Sequence, residues 1–461
     1  MSQSARGGAA PAGPAGTPSL RGLPPLVLFA AYGLIGLAPL ISAALQGLPA
    51  RSLVRELSAG LVMVGYAMML LQFLLSGRFA WLSGRIGIDR TMRFHQLAGW
   101  VILAFIVLHP LLYAAPRLVP EPADALAVLN RMFASPNLRS GVIAWGLTFL
   151  VVLMAAFRDR LPLRYEAWRL SHGLGAMAIA LFGTHHTLTV GTSSADPWLA
   201  GFWVVATGAA IASLIQVYLV RPLMRLRAPF RVVSNRPIGE GIWEVAIAPE
   251  RGSAPPFFAG QFVWLNLGHS AFSLTEHPFS ISSAPQTLPR MEFAIKENGD
   301  FTSRIGAVPV GTRAYLDGPH GTFTLAGREA GPLLFVAGGV GFAPIIGMMR
   351  QLRAERFPHP VRLIYANRVE SQILYRDEIE ALKRDLDFDV IHVLSEPPAG
   401  WNGEVGQLTP DVVGRCLARF GDRPWLVFVC GPPAMMTSVE RTLAARGVPR
   451  ARIVSERFKY D

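Results

Sequence analysis

Cysteine is almost absent from this chain: only Cys416 and Cys430 occur in 461 residues. That excludes a disulfide framework, and the two residues lie in no metal-ligand spacing. The C-x4-C-x2-C run of a plant-type iron–sulfur cluster is also missing, which argues against a fused iron–sulfur domain. Charge is the second scarcity. Charged residues make up 16% of the chain and hydrophobic residues 51%, whereas an ordinary soluble domain carries about 25% charged residues. Part of the chain is therefore expected in lipid. Acidic residues are missing from the long apolar runs, which leaves no buried carboxylates for a proton relay. Internal repeats are missing too, which argues against a transporter.

The formal net charge of +12 invites a nucleic-acid reading. Many of the arginines, however, stand in short stretches between apolar runs, where they act as topology signals rather than as a binding stripe. Nucleic acid is not an expected partner; the lipid bilayer is. Residues 1–23, rich in Ala, Gly, Pro and Ser, are expected to be disordered. They do not resemble a cleavable signal, because the first apolar run is followed by many more.

Residues 24–220 form a series of apolar runs near 24–45, 57–77, 94–115, 140–157, 170–190 and 197–220. Each has roughly the 20 residues a helix needs to cross a bilayer, so a bundle of six spans is expected. Arg78, Arg85, Arg90 and Arg93 follow the second run, Arg158, Arg160, Arg164 and Arg169 the fourth, and Arg221, Arg225, Arg227 and Arg231 the sixth. The opposite loops are poorer in arginine. Positive loops stay inside, which places both termini in the cytoplasm of a multi-pass protein of the cell (inner) membrane.

The pattern changes after the last run. Between residues 225 and 328, FRVVSNRPI, GIWEVAIA, GQFVWLNL and MEFAIKE are short strand-like pieces separated by Gly and Pro. They predict a small antiparallel β-barrel. From 329 to 461, LLFVAGG, VRLIYANR, FDVIHVLS and WLVFVCGPP are buried-type strands alternating with helical stretches. This is the pattern of an α/β domain with an open parallel sheet.

Five histidines stand in the apolar half: His95, His109, His172, His185 and His186. An imidazole in a lipid-spanning helix marks function by default. His95 and His109 lie 14 residues apart, so on one helix they differ by only about 40° in direction and by roughly 21 Å in depth. The fifth run offers the partners, and the two runs share one direction. Hence His95 is expected to meet His172 at an inner depth, and His109 to meet His185 or His186 at an outer one. Neutral imidazole is an axial ligand of haem iron, so two stacked b-type haems are expected. Hydrogen bonding between helices is the plainer alternative.

Four markers follow in the second half. His277-Pro278-Phe279-Ser280-Ile281-Ser282-Ser283 runs into Ala284-Pro285. Lys296-Glu297-Asn298-Gly299-Asp300-Phe301-Thr302 is a glycine turn with a hydroxyl, suited to close approach of a pyrophosphate. Val336-Ala337-Gly338-Gly339-Val340-Gly341-Phe342-Ala343-Pro344 follows a strand and opens a helix, as a dinucleotide-binding loop requires. Cys430-Gly431-Pro432-Pro433 ends the last long strand.

With Asp317-Gly318-Pro319-His320-Gly321, this ordered set resembles the ferredoxin–NADP reductase superfamily, in the form fused to haem membranes in NADPH oxidases and ferric reductases. The resemblance covers about residues 90–461, sparsely in the apolar half and densely after 258. It implies that the segment from His277 to Ser283 contacts FAD, and that Lys296, Gly299 and Thr302 approach its pyrophosphate. It further implies that Gly338, Gly339, Gly341 and Pro344 hold the nucleotide, and that Cys430, Gly431 and Pro432 lie beside the nicotinamide. Arg368 is a candidate for the 2′-phosphate that separates NADPH from NADH. Glu456-Arg457-Phe458 resembles the family's terminal E-N-F, whose aromatic covers the flavin, with Arg in place of Asn. The W-R-x-x-H start at Trp168–His172 resembles the ferric-reductase-like transmembrane family, where the second ligand comes 13 residues later, at His185. Ideal helix geometry favours His186, and a 13-residue spacing would need a π-bulge or a bend. His185 is taken as the expected ligand.

These readings together describe a multi-domain enzyme: a six-helix transmembrane bundle, a FAD-binding barrel and a nicotinamide-nucleotide domain. Electrons would pass from NAD(P)H through FAD and two haems to dioxygen or ferric iron outside. No acid–base catalytic residue is needed. The rivals are delivery to a periplasmic redox protein or a quinone, and a haem-free flavin reductase whose helices only anchor it.

Overall fold

The computed structural model describes residues 22–49, 51–76, 78–117, 122–328, 330–421 and 423–457. Residues 1–21, most of the segment expected to be disordered, and Phe458 lie outside the described residues. Two compact units emerge, one built on Arg21–Arg227 and the other on Ala228–His269 with Glu276–Lys459.

The first unit is helical: α1 Pro25–Leu45, α2 Leu53–Gln72, α3 Ala80–Ser83, α4 Ile88–Ala114, α5 Pro122–Ala134, α6 Arg139–Ala156, α7 Tyr165–Val190, α8 Pro197–Ile215 and α9 Arg221–Arg227. Local chemistry sets several boundaries. Asp196 caps α8 by accepting from Trp198 N and Leu199 N, and Pro197 fills a first-turn position where no N–H is needed. A single π-turn, Gln216–Val220, joins α8 to α9. Small residues let the helices approach one another. Tyr66 of α2 lies so close to Gly183 of α7 that a Cβ there would stand 2.5 Å from its ring. The Tyr66 hydroxyl also donates to Ala180 O at 2.6 Å.

Five helices among the described residues, not the expected six, are long and apolar enough to cross a membrane: Pro25–Leu45, Leu53–Gln72, Ile88–Ala114, Pro136–Ala156 and Pro197–Arg227. The run at 170–190 is helical, as α7, but it is the exception. Arg169, His172, Thr184, His185, His186, Thr187 and Thr189 dilute its apolar content, and each polar side chain is costly against lipid. The protein is a multi-pass membrane protein with a span count of five by this measure.

The second unit holds two sheets. In the first, β1 Phe230–Gly239, β2 Ile242–Pro249, β3 Phe262–Leu267, β4 His277–Ser280, β5 Met291–Lys296 and β6 Arg313–His320 pair antiparallel. Their order is β4-β3-β6-β1-β2-β5, and a four-residue helix, α10 Gly299–Thr302, follows β5. The expected closed barrel is not formed: the sheet is an open half-barrel with β4 and β5 as its edges. One isolated bridge, Ile281 to Phe293, is all that links those edges among the described residues. The reason lies in β4. It has only four residues and carries Pro278, which has no N–H to donate to a further strand.

The second sheet is parallel, as expected: β7 Leu333–Gly338, β8 Val361–Asn367, β9 Phe388–Leu394, β10 Glu404–Val405, β11 Leu426–Cys430 and β12 Ile453–Ser455. Helices α11 Phe342–Ala354, α12 Arg376–Asp385, α13 Pro410–Phe420 and α14 Pro433–Ala445 accompany it. Every residue of β7 is buried, as expected for a strand covered on both faces. The order β10-β9-β8-β7-β11-β12 reverses direction at β7. Ligands of open α/β sheets bind at such a switch point, beyond the carboxyl ends of the strands.

Candidate flavin, nucleotide and haem sites

The switch point brings two of the sequence markers together. Gly338, Gly339 and Gly341 turn from β7 into α11, with Gly339 at φ +54°. A Cβ on Gly341 would stand 2.6 Å from Cys430 O, and one on Gly338 would stand 2.8 Å from Pro432 Cδ. Glycine is thus required for the loop after β7 to lie against Cys430-Gly431-Pro432 at the end of β11. Pro344 sits buried in the first turn of α11. Cys430 is fully buried, and burial, then the nearby Glu456 carboxylate, pushes its thiol well above the usual range. It stays a neutral thiol. Glu456 also lies against the Asp317–Gly321 turn, since a Cβ on Gly321 would be 2.9 Å from its Oε1.

Two residues of this neighbourhood escaped the sequence reading. Glu456 was read only as part of the motif around Phe458, yet its buried carboxylate sits beside Cys430 and Gly321. Asn367 ends β8 and is 8% exposed, with neither side-chain atom hydrogen-bonded among the described residues. Its neighbour Tyr365 donates to Gly339 O at 3.3 Å. Nothing in the sequence distinguished Asn367 from an ordinary strand end. Arg368, next in the chain, is exposed and pairs with Glu396 at 3.4 Å, an exposed contact worth little.

In the open sheet, β4 carries His277, Pro278, Phe279 and Ser280. His277 stacks on Phe301 with ring centroids 4.3 Å apart, and Phe279 lies 6.4 Å from the same ring. Ser282 and Ser283 are fully buried, and Ser283 Oγ accepts from Glu292 N at 3.2 Å. Lys296 ends β5 with its side chain exposed. Gly299 turns into α10 at φ +82°. The Thr302 hydroxyl is engaged locally: it donates to Asn298 O and accepts from Asn298 N.

The helical unit brings its histidines together in pairs. His95 of α4 and His172 of α7 have ring centroids 6.3 Å apart, with Nδ1 of each buried and unbonded among the described residues. Two imidazoles bound through metal–nitrogen bonds of roughly 2 Å place their ring centres about 6 Å apart, so the observed separation suits one metal between them. Trp168 stacks on His172 at 5.5 Å.

At the other depth, His109 Nδ1 lies 3.1 Å from Ser58 O and 2.9 Å from Ser58 Oγ. Donation from Nδ1–H to Ser58 O leaves Nε2 as the nitrogen with a free lone pair, the usual orientation of a metal-binding imidazole. His186 lies within electrostatic reach of His109. Its ring is seated on Gly141 of α6, where a Cβ would be 2.6 Å away, and its Nδ1 is buried and unbonded. His185 is exposed and meets Ser140 Oγ at 3.1 Å. Helix α7 runs from Tyr165 to Val190 with no π-turn. No group of three or more metal-ligating side chains occurs among the described residues, and the histidines are arranged in twos.

A flavin-type half-barrel, a parallel sheet whose glycine loop meets a cysteine loop at the switch point, and an apolar helical unit define a class: a membrane-anchored, NAD(P)H- and FAD-dependent oxidoreductase. Residues 61–183 match the family described as ferric reductase like transmembrane component. Residues 244–321 match the FAD-binding domain, and residues 335–441 the oxidoreductase NAD-binding domain. The chain belongs to this family, a ferric-reductase-like transmembrane domain fused to FAD- and NAD(P)-binding modules.

Among curated proteins, ferredoxin–NADP reductase B of Sorangium cellulosum is 33% identical over 236 residues, covering 50% of this chain and 96% of that protein. The reductase component of propane 2-monooxygenase from Rhodococcus jostii is 32% identical over 238 residues, again 50% of this chain. The chain spans only 62% of that relative's length. Among solved structures, the ferredoxin reductase in carbazole 1,9a-dioxygenase has a TM-score of 0.44 at 23% identity, covering 50% of this chain and 69% of that one.

Proposed function

We propose that the protein carries electrons from NAD(P)H through FAD and two b-type haems to an acceptor on the outer face of the cell (inner) membrane, dioxygen or ferric iron. FAD, when bound, supplies the conversion from two-electron to one-electron transfer. The chain's own residues bind and orient. Gly338, Gly339 and Gly341 let the nucleotide phosphates approach the backbone at the start of α11, where the helix dipole favours negative charge. Gly431 and Pro432 shape the nicotinamide side, and the neutral Cys430 thiol and buried Glu456 stand behind it. His277, Phe279, Ser280, Ser282 and Ser283 form the flavin-facing edge. The exposed turn of Lys296 and Gly299, closed by Thr302, stands near its pyrophosphate.

His95 and His172 would hold the inner haem through their imidazole nitrogens. For the outer haem, His109 would be the first ligand. Burial, proximity to His109 and an unbroken α7 support His186 as the second, with His185, exposed beside Ser140, as the runner-up. Arg368 favours NADPH over NADH only weakly, since Glu396 already pairs with it.

The observation that carries this reading is the 6.3 Å opposition of His95 and His172, with a second imidazole pair the same 14 residues further along both helices. A reduced-minus-oxidised spectrum of protein purified after haem-replete expression tests it: b-type bands are expected. A colourless Soret region would leave the haem-free, membrane-anchored flavin reductase. Superoxide and iron-reduction assays on sealed vesicles then sort the acceptors, including delivery to a periplasmic redox protein or a quinone.

A further inference from the structure

We propose that Arg350 is a positioning residue for hydride transfer: it locks the nucleotide helix onto the flavin strand, so that nicotinamide and flavin meet in one fixed geometry. The proposal rests on the FAD- and NAD(P)-binding reading and is independent of the haems.

Arg350 lies on α11, the helix that the glycine loop opens, and its side chain is 16% exposed. Its fork is bidentate on Glu378 of α12, with Nε and Nη2 donating at 2.7 and 2.8 Å. Nη1 donates to Glu292 of β5 at 3.0 Å and to the Ser282 carbonyl at 2.9 Å. One side chain therefore ties two helices of the nucleotide sheet to two segments of the flavin sheet, and one of those segments is the HPFSISS run itself.

The seam continues around it. The Tyr375 ring lies 4.8 Å beneath the guanidinium, and its hydroxyl donates to Glu244 at 2.8 Å. Glu244, 1% exposed, pairs with Arg236 at 2.6 Å. Three residues before Arg350, Gly347 lets the helix backbone touch the same flavin segment, since a Cβ there would stand 2.9 Å from Ile281 O.

A seam that served cohesion alone needs none of this. Well-packed apolar residues are often as stable as a buried ion network, because charges lose their hydration on burial. What a planar, bidentate guanidinium adds is direction: it fixes angles between its partners that an apolar contact leaves free to slide. Hydride transfer is the kind of step that responds to such fixing, because displacement of the reacting atoms by about 1 Å can cost a hundredfold in rate.

The test uses the full-length, detergent-solubilised holoprotein. Arg350→Met and Arg350→Lys are compared with the wild type for flavin content, nucleotide dissociation constant and the rate of flavin reduction by NADPH in anaerobic stopped flow. Arg350→Met should keep its flavin and its nucleotide affinity while reduction slows by about ten- to a hundredfold, and Arg350→Lys should recover part of the loss. Gly347→Ala, which presses a methyl onto the Ile281 carbonyl, should slow the same step while leaving the Arg350–Glu378 fork in place. Reduction of Arg350→Met at the wild-type rate would overturn the proposal. So would a slowing that merely tracks lost flavin, which would make the seam a fold element only. A wild-type flavin inert to both NADPH and NADH removes the proposal together with the functional reading beneath it. A haem-free wild type that is still reduced normally removes the haems alone.

Discussion

His392 of β9 packs its ring 6.0 Å from Tyr365, and both its nitrogens are buried without a hydrogen bond among the described residues. Burial first, then the positive charge of Arg376, holds its pKa down to about 4. In the unfolded chain the value returns to about 6.5. As pH falls, the unfolded state therefore takes up a proton before the folded state does. Its contribution is fully present above about pH 6.5 and is lost progressively towards pH 4. The difference amounts to roughly 3 kcal/mol at most. The midpoint of thermal flavin release should fall between pH 7 and pH 5, and His392→Phe should remove much of that fall. An unchanged pH slope in the variant would show that other groups set it. The sequence carried no sign of this residue, because a histidine inside a strand looks the same whether water reaches it or not. Cys430 was easier to read: its place between a long apolar strand and Gly-Pro-Pro marks it as the end of that strand.

At the scale of elements, legibility followed locality. The glycine loop after β7 and the alternation of strand and helix from Leu333 onward depend on neighbours in the chain, and the structure has the expected parallel sheet. Whether a sheet closes depends on pairing between strands far apart in sequence, and the reading of a barrel passed over Pro278 as an edge marker. The span count failed for a different reason. Helical length at 170–190 was correctly seen, but the residues that make α7 interesting are the ones that lower its hydropathy. Its histidines then raise a question that periodicity frames and packing informs. The 14-residue interval from His172 to His186 repeats that from His95 to His109, and α7 has no π-turn to shift the phase. His186→Ala should therefore lose one of two haems per chain while the inner one stays, and His185→Ala should keep both. Haem quantification with a two-step potentiometric titration reads this directly. The surviving inner haem reports that the variant has folded. Loss of the outer haem from His185→Ala alone would return the ligand to the position that the family pattern implies.

Across the whole molecule, electron flow is vectorial only if the nucleotide site and the terminal acceptor face opposite sides of the bilayer. The chain leaves its last apolar helix through Arg221, Arg225 and Arg227 and enters the flavin sheet at Phe230, with Arg231 next in the strand. Arginines this close to the end of a span resist translocation, so the proposed function expects the flavin and nucleotide modules on the cytoplasmic side whatever the number of spans before them. NADPH does not cross a bilayer, so sidedness can be measured without detergent. Sealed inside-out vesicles should oxidise added NADPH at once. Right-side-out vesicles should do so only after permeabilisation, while an impermeant ferric chelate outside is reduced when NADPH is trapped within. Replacing the four arginines with glutamine should weaken the bias and yield a mixed population. Equal NADPH oxidation by intact vesicles of both orientations would break the link between basic exit and cytoplasmic module, and with it the case for an acceptor on the far side.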